Sequence, residues 1–106
     1  MQINAKIYQD TLYIQIAGEL DEHTANYAKM TIDSQLDEAE CKQVVMDLSN
    51  LEFMDSTGIG VLMGRYKKMK QRGIPIFIAN PSVQADKIFR MTALYEVMPK
   101  VKEGVR

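Results

Sequence analysis

The chain has 106 residues, 46% of them hydrophobic and 25% charged, which suits one domain, 1–106, around one core. Its formal net charge of -1 gives no basic surface for nucleic acid or an anionic membrane, and no apolar run approaches the roughly 20 residues of a membrane span. One cysteine, Cys41, and one histidine, His23, exclude an internal disulfide, a multi-cysteine metal site and any two-histidine mechanism.

Met1 to Lys6 lacks the basic and apolar regions of a signal peptide, so a cytoplasmic protein is expected. Ile3, Ala5 and Ile7 alternate with Asn4, Lys6 and Tyr8, which predicts a strand. After the turn at Gln9-Asp10, Thr11 to Ala17 predicts a second strand hairpinned to the first. Gly18-Glu19-Leu20-Asp21 breaks that pattern. Ala25, Ala28, Ile32, Leu36 and Ala39 form a helical stripe, with Asp21 or Thr24 as its N-cap. Gln43 to Leu48, apolar except for Asp47, predicts a third strand covered on both faces. A second helix follows a short polar link and runs from about Ser56 to Gln71. Its predicted core stripe is Ile59, Leu62, Met63, Tyr66 and Met69, and Gly73 is its left-handed stop. Ile74 to Ala79 predicts a fourth strand. Asn80-Pro81 reads as N-cap and first residue of a third helix carrying Val83, Ile88, Phe89 and Met91. Val97 to Val101 is a weak last strand or irregular tail. The order β-β-α-β-α-β-α-β implies an α/β fold with a mixed, mostly parallel sheet of four to five strands, antiparallel only at its start.

The stretch Phe53-Met54-Asp55-Ser56-Thr57-Gly58-Ile59-Gly60 carries the chemistry. It places Ser56 at or just before a helix N-terminus, where unpaired N–H groups and the helix dipole favour an anion. A serine there can cap the helix. Phosphorylated, it becomes a dianion on an anion-friendly spot. At about 100° per residue, Gly60 and Gly64 follow Ser56 in a row beside the core stripe. Interior glycines each cost a helix about 0.5–1 kcal/mol. Two readings stand for them: close packing within the domain, or a smooth patch for another protein's backbone.

Other chemistries fit less well. A nucleophile elbow needs glycine at position 54, which is Met, and the only base for Ser56 would be His23 with Asp21 nearby. The Asp-Ser-Thr-Gly string is also seen in aspartic proteases, but those need two facing loops. No phosphate-cradling or dinucleotide-binding glycine loop occurs, so no cofactor is expected, and no metal. Lys67, Lys68 and Lys70 read as a solvated face, and the eight methionines as core filler. If the second and third strands are parallel, Gly18 to His23 and Asn80 lie at the same sheet end as Ser56, where open α/β sheets bind ligands.

Gly18-Glu19-Leu20-Asp21 with His23-Thr24, Val45-Met46-Asp47-Leu48, Phe53 to Leu62 and Gly64-Arg65-Tyr66-Lys67 together resemble the anti-sigma-factor antagonists of the STAS superfamily. The resemblance covers nearly the whole chain and is strongest to the antagonists of the sporulation sigma-F switch. It implies a STAS fold and a partner switch. The unmodified antagonist would bind an anti-sigma factor with serine kinase activity and so free the sigma factor. That kinase would phosphorylate Ser56 with ATP and lose its grip, and a PP2C-type phosphatase would reset the serine. The resemblance implies a partner surface from Gly18, Glu19, Leu20, Asp21 and His23 on the first turn. Asp55, Ser56, Thr57, Gly58, Gly60, Gly64 and Arg65 would supply the rest from the second helix. It also implies a binding and substrate protein rather than an enzyme. A related module of a general stress-response complex is the alternative. Family members usually carry a longer C-terminal helix than this chain, ending at Arg106, has room for.

Overall fold

A computed structural model describes residues 1–101 of the chain. Strand β1 (Gln2–Tyr8) pairs antiparallel with β2 (Thr11–Leu20) across a tight turn in which Gln9 takes φ 56°. The chain continues through α1 (Ala25–Glu38), β3 (Gln43–Asp47), β4 (Leu51–Met54), α2 (Ser56–Gln71), β5 (Ile76–Ala79) and α3 (Val83–Met91). It closes with a 3₁₀ turn at Leu94–Glu96 and a short β6 (Lys100–Val101). The sheet runs β1-β2-β3-β5-β6, with β4 on β2 outside that path, and only β1 is antiparallel. The α/β class and mixed sheet are those expected from the sequence, with six strands among the described residues where four to five were expected.

All three crossovers step in one direction along the sheet. Right-handed connections that step the same way put their helices on one face. Burial agrees: Leu12, Ile14 and Ile16 of β2, Val44 and Met46 of β3, and Ile76 and Ile78 of β5 are sealed in one core. Their alternates Tyr13, Gln15, Asp47 and Phe77 are half-exposed. The third strand is therefore not covered by helices on both sides as expected. Val45, buried on the second face, lies between Tyr13 and Phe77 in the neighbouring strands. Apolar neighbours there do what a second helix layer would have done.

Four local expectations change. The link before Ser56 contains β4, which pairs parallel with the last residues of β2 after a register shift between Gly18 and Glu19. Gly18 to Leu20 thus continues β2 instead of breaking it, and Gly18 takes φ +102°, open to glycine at little cost. Ser82, not Asn80, caps α3: its hydroxyl accepts from Ala85 N at 3.1 Å, and Asn80 lies in the left-handed region at φ 55°. Helix α3 buries Ala85 and Phe89 but leaves Val83 and Met91 89% and 78% exposed. The weak last strand expected over Val97 to Val101 shrinks to β6, Lys100–Val101, on β5, and a 3₁₀ turn at Leu94–Glu96 precedes the expected span. The expectation about a C-terminal helix concerns residues outside those described.

Candidate functional site

The site is built where β2 and β4 end side by side. Glu19 is in register with Phe53, and Leu20 with Met54. That pairing brings the turn after β2 alongside the loop that enters α2. Asp55 is the N-cap of α2, its Oδ1 accepting from Thr57 N at 2.9 Å. Ser56 is then the first helical residue, and it is exposed. A serine relieved of capping has a hydroxyl available for other chemistry, beside backbone N–H groups that the helix leaves unpaired. Lys68 and Lys70 in the last turn complement the dipole that makes this end positive.

Helix α2 lands rotated from the expected stripe. Gly58, Val61, Leu62 and Met69 are buried, while Ile59, Met63 and Tyr66 pack half-buried at the margin. The cause lies under Gly58. A Cβ there would meet Met54 Cγ at 2.4 Å, Met54 Sδ at 2.9 Å and Leu20 Cδ2 at 3.2 Å. The missing side chain lets the first turn press onto β2 and β4, which draws Val61 inward. A Cβ on Gly60 or Gly64 would meet nothing within 4 Å. Close packing within the described chain therefore does not explain those two glycines.

The expected surface residues divide accordingly. Glu19, Ser56 and Gly60 are exposed, and Gly18, Asp21, Asp55, Thr57 and Gly64 are partly so. Leu20 and Gly58 are buried. That corrects their placement on the docking face: they are the floor beneath it. Arg65 is corrected too. Its side chain is only 12% exposed and its Nε lies 2.9 Å from Asp33 Oδ1 on α1. Lys68 joins the seam, reaching Asp37 Oδ1 at 3.0 Å. Arg65 faces the neighbouring helix and stitches the two together. His23 stands open at 83% exposure, with Glu22 as its charged neighbour at 3.9 Å. The turn that carries it is locked by Asp21, whose Oδ1 accepts from His23 N at 2.9 Å and Thr24 N at 3.2 Å. Thr24 donates to Glu19 O at 2.9 Å and holds the N-cap position of α1, but neither it nor Asp21 caps the helix with a side-chain bond; both serve the turn instead. Asn80 Nδ2 donates to Asp47 Oδ1 at 3.2 Å and ties the ends of β3 and β5.

Phe53, which opens the stretch singled out in the sequence but is not among the expected partner-surface residues, is 41% exposed on β4. One contributor was missed. Gln84 of α3 bonds the backbone of Met54, a contact across 30 residues that no local pattern announces. Farther along α3, Asp86 ties the C-terminal elements together. It accepts from Tyr95 Oη at 2.6 Å, Arg90 Nε at 2.8 Å and Lys100 Nζ at 3.0 Å. Those bonds hold its carboxyl well below the usual range, while burial and the bond to Asp86 push the Tyr95 phenol up. Among the described residues, no group of three acidic, cysteine or histidine side chains is placed to hold a metal ion. No helix among them is long and apolar enough to cross a membrane.

The family model for the STAS domain matches residues 2–106. The chain belongs to the STAS domain family. Among its relatives is an anti-sigma F factor antagonist of Paenibacillus polymyxa. It is 33% identical over 99 residues, covering 93% of this chain and 85% of the relative. An anti-sigma-B factor antagonist of Staphylococcus aureus is 29% identical over 97 residues, 91% of this chain and 88% of the relative. The fold matches that of the anti-sigma factor antagonist SpoIIAA. For the unphosphorylated form the TM-score is 0.78 at 24% identity, covering 96% of this chain and 90% of the other. For the phosphorylated form of SpoIIAA from Bacillus the TM-score is 0.72 at 24% identity, with 96% and 93% covered.

Proposed function

We propose that this STAS domain is an anti-sigma-factor antagonist whose grip on its partner is switched at Ser56. The unmodified protein binds an anti-sigma factor that is also a serine kinase, and so releases a sigma factor of the sporulation type. The Ser56 hydroxyl then attacks the γ-phosphorus of ATP bound to that kinase, ADP leaves, and the phosphorylated antagonist dissociates. A PP2C-type phosphatase returns the serine with water and releases inorganic phosphate. The chain is substrate and ligand, not enzyme. It acts in the cytoplasm on proteins, without cofactor, nucleic acid or membrane.

The observation that carries this reading is Ser56 exposed at the first position of α2, with Asp55 doing the capping and Gly60 and Gly64 open on the same helix. The helix N-terminus can receive a phosphate without refolding. A docked partner cannot receive it so easily, because a charge of about -1.5 to -2 must be stripped of water or repelled, beside the Asp55 carboxylate. A thousandfold loss of affinity corresponds to about 4 kcal/mol, within reach of one dianion in a desolvated contact. The names of the relatives and the existence of a phosphorylated structural neighbour support the same assignment.

The test is incubation with ATP and the anti-sigma kinase, followed by mass spectrometry. One phosphoryl group on Ser56 is expected, and none on Ser56→Ala. Ser56→Asp keeps the fold and loses the kinase partner, whereas Ser56→Ala keeps the partner and cannot be switched off. An Asp variant that binds as tightly as wild type overturns the switch. The relative named for sigma-B favours a second reading, a module of a general stress-response complex with another kinase. Pull-down from the native cell separates the two by which kinase is recovered.

A further inference from the structure

Among the described residues, strand β4 has one strand neighbour, β2, and its other edge faces no strand. Glu52 and Phe53 in its middle are exposed, but Met54 at its end is buried, and a buried residue cannot leave its N–H and C=O groups unpaired without loss. At Met54 the pairing comes from a side chain. Gln84 Nε2 donates to Met54 O at 3.1 Å, and Met54 N donates to Gln84 Oε1 at 3.4 Å. The primary amide thus takes the place of a strand residue, bonding both backbone groups of one amino acid. Met54 is a consequential residue to hold. It is fully buried, its side chain fills the space under Gly58, and the next two residues are the cap Asp55 and then Ser56. The helix bearing Gln84 is itself anchored to the 3₁₀ turn and β6 by Asp86.

We propose that Gln84 is a positioning residue for Ser56. It fixes the Met54 backbone, and through Met54 the first turn of α2, in the arrangement that the kinase phosphorylates. The claim rests on Ser56 being the phosphoacceptor. Gln84 touches neither the hydroxyl nor the nucleotide; it acts through the strand end and the packing beneath Gly58. Helix α3, outside the expected docking residues, thereby becomes part of how the serine is presented.

Gln84→Leu removes both bonds at similar side-chain length, and Gln84→Glu keeps the acceptor but loses the donor. Two measurements on the full chain decide. Amide hydrogen exchange needs no partner. It is expected to quicken at least tenfold from Met54 to Gly58 in the Leu variant, less in the Glu variant, and not at all in β1 and β3. Kinase assays are expected to show kcat/KM for Ser56 phosphorylation falling about tenfold in the Leu variant and less in the Glu variant. Unchanged exchange at Met54 to Gly58 overturns the clamp. Faster exchange with phosphorylation at the wild-type rate overturns the positioning role and leaves only a structural bond. If wild-type Ser56 itself takes no phosphate, the phosphoacceptor reading falls and positioning with it, while exchange still reports on the clamp separately.

Discussion

Gly58 and Gly60 lie two residues apart on one helix, directed about 160° from each other at roughly 100° per residue. Gly58 faces a wall, with Met54 closer than a real Cβ would tolerate and Leu20 in tight contact behind it. Gly60 and its successor Gly64 face open space. The inner glycine is required by the domain's own packing: without it the first turn of α2 could not sit low on β2 and β4. The outer pair earns nothing for the isolated fold and lowers helix propensity. The same residue type thus marks two kinds of surface, one complementary to the chain itself and one complementary to something else. That contrast is the physical basis for placing a docking face beside Ser56.

The contrast breaks most visibly at Gly58. Gly58→Ala puts a methyl 2.4 Å from Met54 Cγ, so Met54 must change rotamer or the first turn must rise. Overpacking of this kind costs about 1–3 kcal/mol. Urea unfolding should show that loss, and kinase binding should weaken as well because Ser56 rides on the displaced turn. A Gly58→Ala variant as stable as wild type would mean that the wall is softer than its distances indicate.

A second break lies in the first turn of α3, where Asp86 ties this helix to the C-terminal elements. Hydrogen bonds from Tyr95, Arg90 and Lys100 lower its folded pKa. The unfolded chain therefore takes up the proton first, near the ordinary aspartate value of about 3.9. The stability this group confers is present above that value and is lost as pH falls below it. Asp86→Asn should be less stable than wild type at neutral pH, and the gap should close as pH drops through about 4 toward 2. Tyr95 gives the opposite arm. Its raised pKa means a contribution present below about 10 and lost at higher pH. Urea midpoints across pH read both arms.

The legible parts of this molecule are those written in local periodicity. The spacing of Ala25, Ala28, Ile32 and Leu36 gave the buried side of α1, and the bounds of α2 follow from Ser56 and the Arg72-Gly73 stop. Strand β4 was hidden because four residues, with Glu52 among them, are too few to declare a period. The rotation of α2 was hidden because a glycine carries no hydrophobic signal. Burying Gly58 in place of Ile59 depends on Met54 and Leu20 meeting it from two strands. The resemblance put Arg65 on the partner surface, and its partner Asp33, on another helix, could not be read from local sequence. In each case the missing information was a contact between elements, which only the assembled sheet supplies.

The smallest expected effect tests the outer glycines. At Gly60 or Gly64, alanine gains helix propensity and meets no neighbour, so Gly60→Ala and Gly64→Ala should each stabilise the free protein by about 0.5–1 kcal/mol. The same methyl groups would stand between this helix and a partner backbone, so affinity for the unphosphorylated protein's kinase should fall as stability rises. Thermal unfolding and binding titration on the same variants give both signs. Opposite signs are the signature of a surface kept bare for another molecule. If alanine strengthens both folding and binding, these glycines are not kept for contact, and the partner approaches Ser56 from the side of Phe53 and the Glu19 turn instead.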